Sequence, residues 1–252
     1  MSEQTFYDGL IIGWFLLTII VFLALLFIAA PYGRHFRGGW GALIGNKPGW
    51  IIMEAAAPLV FLIFFIFGSN DITVAAVVFL LLWQAHYIHR AFIYPLSLRG
   101  KTRQIPLAIV FSGLFFNIVN GYLNGRYIFS FSDGYGNEWL SDPRFIIGVS
   151  LFITGFIINR HADHVLRKLG NGESGYKIPY SGFYRWISSP NYFGEIIIWL
   201  GWAVATWSLA GFAFATWTTA NLLPRARSHH AWYHENFPDY PTERKALLPK
   251  LW

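Results

Sequence analysis

The chain has 252 residues, of which 55% are hydrophobic, 19% aromatic and only 13% charged, with a formal net charge of +6 and no cysteine. Soluble domains carry about a quarter charged residues, so this composition predicts an all-α, polytopic membrane protein, folded as one domain over 1–252. Without cysteine, disulfides, thiolate catalysis and cysteine-ligated zinc or iron–sulfur clusters are excluded.

The N-terminus, MSEQTFYDGL, carries acids where a cleavable signal needs a basic start, and no such signal is expected. A first span is predicted over Gly9–Ala30, an uncharged run long enough to cross a bilayer. Pro31 breaks it, and Arg34, Arg37 and Lys47 punctuate a glycine-rich loop. The second span, Trp50–Phe67, contains Glu54 and Pro58, and the short loop Gly68–Asp71 leads to a third over Ile72–Leu98. Arg99, Lys101 and Arg103 close that span, and a fourth covers Ile105–Leu123. A polar loop, Asn124–Arg144, holds Asp133, Glu138 and Asp142; the fifth span starts near Phe145 and turns polar at Asn159. A Gly/Ser/Tyr-rich segment, Gly170–Asn191, precedes a last uncharged run, Ile196–Leu223.

That run is long for one crossing and short for two, which need about 20 residues each. Charge placement decides the count. Loops after spans one, three and five are basic, those after two and four acidic or neutral, so the N-terminus is placed outside. Arg225, Arg227, Arg244, Lys245 and Lys250 want the inside, which requires two final passes with a turn near Trp207–Gly211. Seven transmembrane helices, N-terminus outside and C-terminus cytoplasmic, satisfy both ends. The last two helices must then borrow length from polar ends that pack in protein or around a ligand.

Polar residues inside spans are functional candidates because lipid penalises them. Glu54 lies four residues before Pro58, whose ring disturbs the helix at that carbonyl. It reads either as a site wall or as an interfacial carboxylate paired with Arg or Lys. QAHYIHRAFIY places Gln84, His86, Tyr87, His89, Arg90 and Tyr94 near the end of span three, with Tyr87 and Tyr94 two turns apart. Asn159, Asp163 and Arg167 stand at i, i+4 and i+8, and Arg160 can pair with Asp163 or His164. Ser188, Ser189 and Pro190 are helix-start residues, with Asn191 and Glu195 on the following turns, and a helix N-terminus there attracts phosphate. The tail PRARSHHAWYHENFPDY, read as a continuing helix, aligns Arg225, His229 and Tyr233 on one face, with Asn221 extending the stripe. A cation, an imidazole and a phenol in line suit a phosphate-bearing ligand; the same stripe also suits lipid headgroups.

GGWGALIG lacks the preceding strand and the spacing of a dinucleotide fingerprint, and there is no P-loop. The pairs His86/His89, His161/His164 and His230/His234 resemble the histidine boxes of membrane di-iron enzymes, though the HxxHH box is missing.

Together, HYIHRAFIYPLSLRG, NRHADHVLRKLG, YKIPYSGFYRWISSPNYFGEIIIWLGWAVATWSL and RARSHHAWYHENFPDYPTERKALLPKLW resemble the steroid 5α-reductase family, the 3-oxo-5α-steroid 4-dehydrogenases. The resemblance covers most of the chain from span two onward. Weaker resemblance, over the C-terminal half, is to the sterol C7/C14 reductases and to the isoprenylcysteine carboxyl methyltransferases, which use S-adenosylmethionine; these are the alternative readings of function. The family resemblance implies a seven-helix, multi-pass enzyme that uses NADPH to reduce the 4,5 double bond of a 3-oxo-4-ene steroid. It implies Glu54 and Tyr87 at the substrate's 3-oxo oxygen as the catalytic pair. It further implies a cofactor site lined by Lys101, Asn159, Asp163, Arg167, Tyr176, Asn191, Glu195, Arg225, His229 and Tyr233, and no metal. Lys101 stands where relatives often have Arg, and the Gln-Glu pair typical of animal enzymes reads Met53-Glu54 here. The partners expected are a steroid or sterol-like substrate and membrane lipid, with no nucleic acid, in a monomer of the bacterial inner membrane or the endoplasmic reticulum. The chemistry fits: an enone accepts hydride at its β-carbon when the carbonyl oxygen is stabilised, here by the Tyr87 hydroxyl and a Glu54 that is protonated or shares its proton.

Overall fold

The computed structural model describes residues 2–31, 33–97, 104–170 and 176–252. Among these are seven long helices: α1 (Glu3–Phe27), α2 (Asn46–Ile66), α3 (Val74–Ile88), α4 (Leu107–Arg126), α5 (Pro143–Leu169), α6 (Pro190–Thr206) and α7 (Leu209–Asn236). α3 continues through a π-turn, His89–Ile93, into a last turn, Tyr94–Ser97; α4 likewise continues through a π-turn, Tyr127–Phe131. With these extensions α1 to α5 are long and apolar enough to cross a membrane. α6 has only 17 residues, and α7 gives its second half to the polar tail, as the short final run predicts. Two compact units are distinguished, 1–12 with 31–146 and 13–30 with 147–252.

In the first unit, two strands the sequence reading did not anticipate, β1 (Leu43–Gly45) and β2 (Gln104–Pro106), pair antiparallel with Ile44 opposite Ile105. α2 starts at the residue after β1 and α4 at the residue after β2, so the pair ties both helix starts together. Beyond it α4 lies tightly along α2. A Cβ at Gly121 would come 3.0 Å from Val60 Cβ, and one at Gly125 3.0 Å from Phe64 Cβ. Small residues allow such backbone approach between membrane helices. α3 packs its tryptophan on the other side of α2: Trp83 stacks on Phe61 with centroids 4.4 Å apart.

Two of the boundaries that differ from expectation do so for one reason. The first helix starts at Glu3 and the fourth runs past Leu123, because the polar residues at these ends satisfy one another. Arg126 Nη2 reaches Glu3 Oε2 at 2.7 Å, and its guanidinium lies 4.8 Å from the Phe131 ring centroid. Asn124 donates to the Asn120 backbone carbonyl at 3.1 Å. Asn124 therefore sits inside a helix, where the sequence suggested a loop.

In the second unit, α5 and α6 meet along glycines. A Cβ at Gly155 would stand 2.6 Å from the Gly194 carbonyl oxygen, and one at Gly201 2.6 Å from that of Gly148. Trp199 sits beside this seam, with its centroid 3.9 Å from Phe214 of α7. The turn between α6 and α7 falls at Trp207, in a left-handed conformation (φ 45°), and Ser208, whose Oγ caps Gly211 N at 3.0 Å. Pro190 occupies the first turn of α6 as expected, but the Ser189 hydroxyl makes no capping bond. After α7 the chain returns beside the segment before α6. Ser188 N donates to Lys245 O at 2.8 Å, and Lys245 N to Trp186 O at 3.0 Å.

Candidate active site

In the first unit, side chains from three helices gather around Glu54, which is only 5% exposed. Its Oε1 accepts from Arg90 Nε at 3.1 Å, and its Oε2 accepts from Asn117 Nδ2 at 3.4 Å. The sequence reading offered a buried site wall or a cation-paired carboxylate. The structure shows the pairing, with Arg90, on a carboxylate that is buried.

Arg90 sits in the π-turn of α3. Such turns are frequent at functional sites, because the extra residue redirects side chains. The turn is clasped by α2: Trp50 Nε1 donates to the Arg90 carbonyl at 3.1 Å, and the Arg90 guanidinium lies 5.3 Å from the Trp50 ring centroid. Around Pro58, α3 donates into the backbone of α2 through Trp83 Nε1 to Ala57 O at 3.1 Å and Gln84 Nε2 to Pro58 O at 2.9 Å. The carbonyl that Pro58 itself leaves without a helical donor is that of Glu54; these two bonds tie α3 to α2 beside the proline. Tyr87, one turn before Arg90, is 2% exposed, with its ring 5.0 Å from that of Trp83.

The second unit holds the other predicted residues in two groups. In the first, Asn159 Nδ2 donates to the Asn191 carbonyl at 2.8 Å and to Glu195 Oε2 at 2.9 Å, while Trp199 Nε1 donates to Glu195 Oε1 at 3.1 Å. Arg160 bonds Asn159 Oδ1 and lies 3.7 Å from Asp163 Oδ2, one of the two pairings the spacing allowed. Its Nε and Nη1 are buried without hydrogen-bond partners. Arg167 is half-buried in the last turn of α5.

The second group follows the tail helix. Arg225 Nη2 donates to Tyr192 Oη at 3.2 Å, and the Tyr192 ring lies 5.1 Å from that of His229. The stripe is thus joined at Tyr192, a residue that the sequence reading passed over. Tyr233 is turned to the tail, stacked on Tyr240 with centroids 4.9 Å apart and planes 8° from parallel. Tyr176 packs edge-on against Trp232 at 5.1 Å. Lys101 lies outside the described residues.

His230 Nδ1 lies 2.7 Å from Ser188 Oγ, which also meets Tyr240 Oη at 2.7 Å. His230 stands beyond the apolar run, and burial, then the neighbouring His234 and Lys245, lower its pKa. Burial raises that of Tyr240. Among the described residues, no three His, Asp or Glu side chains gather as a metal site.

Buried ionisable groups in helices this apolar place the chain among membrane proteins with a chemical or transport task. The family model for 3-oxo-5-alpha-steroid 4-dehydrogenase matches residues 103–252. Over 258 residues the chain is 41% identical to steroid 5-alpha-reductase DET2 of Gossypium hirsutum, covering 100% of this chain and 99% of that one. It is 36% identical over 260 residues to 3-oxo-5-alpha-steroid 4-dehydrogenase 1 of Bos taurus, with 100% and 99% covered. With the Homo sapiens protein of the same name it shares 38% identity over 225 residues, with 87% and 85% covered. The chain belongs to the 3-oxo-5-alpha-steroid 4-dehydrogenase, or steroid 5α-reductase, family, and is an enzyme of steroid metabolism. This family uses NADPH.

Proposed function

We propose that the chain, 1–252 as one reductase, reduces the 4,5 double bond of a 3-oxo-4-ene steroid with NADPH and gives the 5α product. The observation that carries the reading is the buried Glu54 carboxylate, held by Arg90 and Asn117 one helix away from buried Tyr87. The Tyr87 hydroxyl donates to the 3-oxo oxygen, and Glu54 orients that donor, so charge developing on the oxygen is met in a site shielded from water. Among apolar helices, the flat hydrocarbon body of a steroid is the natural load.

The dinucleotide is assigned to the second unit, where donors and acceptors suit it. Arg225, His229 and the unpartnered Nε and Nη1 of Arg160 offer donors to phosphate oxygens. Asp163 and Glu195 offer acceptors to ribose hydroxyls and a carboxamide, with Asn159, Asn191, Arg167, Tyr176 and Tyr233 completing the set. NADPH, when bound, supplies the hydride that the enone accepts at C5. Charge placement supports an N-terminus outside and a cytoplasmic C-terminus, with α6 and α7 as the last two of seven crossings.

Detergent-purified enzyme given NADPH and a 3-oxo-4-ene steroid is expected to oxidise the cofactor in step with formation of the 5α-reduced ketone. Copurified S-adenosylmethionine, or no NADPH oxidation across a panel of such steroids, would overturn the reading. Arg225→Ala is expected to raise the NADPH dissociation constant about tenfold, the worth of one charge-assisted phosphate contact. Unchanged nucleotide affinity in a direct titration would remove the tail from the site.

A further inference from the structure

We infer that Asn117 is a positioning residue for this reaction, fixing the Glu54 carboxylate from the side opposite Arg90; this rests on the proposed role of Glu54. The position of Asn117 in α4 is the starting point. Gly113, Asn117, Gly121 and Gly125 recur every fourth residue and form one stripe along the helix. The glycines of that stripe bring α4 against α2: a Cβ at Gly113 would overlap Met53, and those at Gly121 and Gly125 would press on Val60 and Phe64. Asn117 is the one member of the stripe with a polar side chain, and it stands level with Met53 and Glu54 of α2.

Its amide does two things there. Nδ2 donates to the Met53 carbonyl at 2.8 Å and to Glu54 Oε2 at 3.4 Å. A carbonyl only accepts, so the shorter bond fixes which end of the amide is nitrogen. With Arg90 on Oε1 at 3.1 Å, each carboxylate oxygen then has its own donor, from a different helix. The plane of the carboxylate is set by two fixed points rather than one.

The cost of this arrangement is visible. Asn117 is 3% exposed, and its Oδ1 is buried with no hydrogen-bond partner. An unmet buried acceptor is unfavourable, and an apolar side chain of the same branching would avoid it. Helix packing alone therefore gives no reason for an amide at this place; the two bonds made by Nδ2 do. A carboxylate that must meet a small group at a set distance benefits from such a frame, because a misplacement of about 1 Å is felt strongly in rate.

Asn117→Leu keeps the branching and removes both donors. The expected result is a kcat about tenfold lower, with the steroid KM and NADPH affinity within about twofold. The pH dependence of kcat is expected to change in this variant and not in Arg225→Ala. Glu54→Gln separates the two levels of the reading. In a Glu54→Gln background, Asn117→Leu should have no further effect on rate, because the group it positions is gone. An Asn117→Leu enzyme with normal kcat, or an additional tenfold loss in the Glu54→Gln background, would overturn the role of Asn117 alone. Full activity of Glu54→Gln would instead overturn the role of Glu54. If leucine is not accommodated, Asn117→Ala carries the same expectations for kcat, KM and the double variant.

Discussion

Tyr87→Phe is expected to lower turnover of a 3-oxo-4-ene steroid by about 10²–10³-fold, the usual loss when one donor to a developing oxyanion is removed. The NADPH dissociation constant should stay within about threefold. The separation follows from where Tyr87 lies. Its ring is buried against Trp83 and His86, with centroids 5.0 Å away in each case, and a phenyl ring fills the same space. Only the hydroxyl is lost. The described residues assigned to the cofactor lie in α5, α6 and α7 and, for Tyr176, in the segment before α6, and do not depend on that oxygen. Single-turnover rates and a nucleotide titration on the same preparation make the comparison. Near-normal turnover would end the catalytic assignment of Tyr87.

Gly194→Val carries the second large effect, on binding and folding together. Even a Cβ at this position would stand 2.6 Å from Asn159 N and 2.7 Å from the Gly155 carbonyl oxygen. These are backbone atoms of the facing helix, which cannot swing aside as a side chain end does. Overpacking of a core costs about 1–3 kcal/mol where side chains can adjust, and here the whole of α5 must move away from α6. Gly194 also precedes Glu195, whose bond from Asn159 crosses this contact at 2.9 Å. The variant is expected to lose measurable NADPH affinity and to melt at lower temperature in detergent. Retained affinity with an unchanged melt would show that the seam tolerates separation.

Much of the architecture was legible because hydrophobic runs mark spans directly. The first five helices fall near their predicted runs, the Trp207 turn divides the last run, and the tail continues as helix to Asn236. Some of the polar residues singled out do meet: Asn159 and Glu195 by hydrogen bond, and Arg160 and Asp163 as an ion pair, whereas Tyr233 leaves the tail stripe to stack on Tyr240. What the sequence hid depends on pairing between distant segments. Three-residue strands such as β1 and β2 have no periodicity to detect, and each exists only because the other is there. Tyr192 looks like any aromatic at a helix start until Arg225 and His229 are brought to it. Asn117, Asn120 and Asn124 were in plain view at i, i+3 and i+7. They went unread because the first two sat inside an apolar run and the third was assigned to a loop. A helix-face projection of 107–126 would have found the stripe.

The π-turn of α3 has a consequence for anyone mapping this span by spacing alone. A turn closed by i→i+5 bonding takes up one residue more than an α-turn, and the Tyr94 amide bonds the His89 carbonyl in this way. Positions on either side of it are therefore out of phase with a single helical wheel. Tyr87 and Tyr94, two α-turns apart on paper, meet different neighbours: Tyr87 lies against Trp83, while Tyr94 approaches Trp50 with centroids 6.0 Å apart. The span 74–97 is properly drawn as two wheels, the first ending at Ile88 and the second restarting at Tyr94. Any scanning series, cross-linking design or lipid-accessibility map across it needs that restart, and the residue at the break in phase is the arginine that meets Glu54.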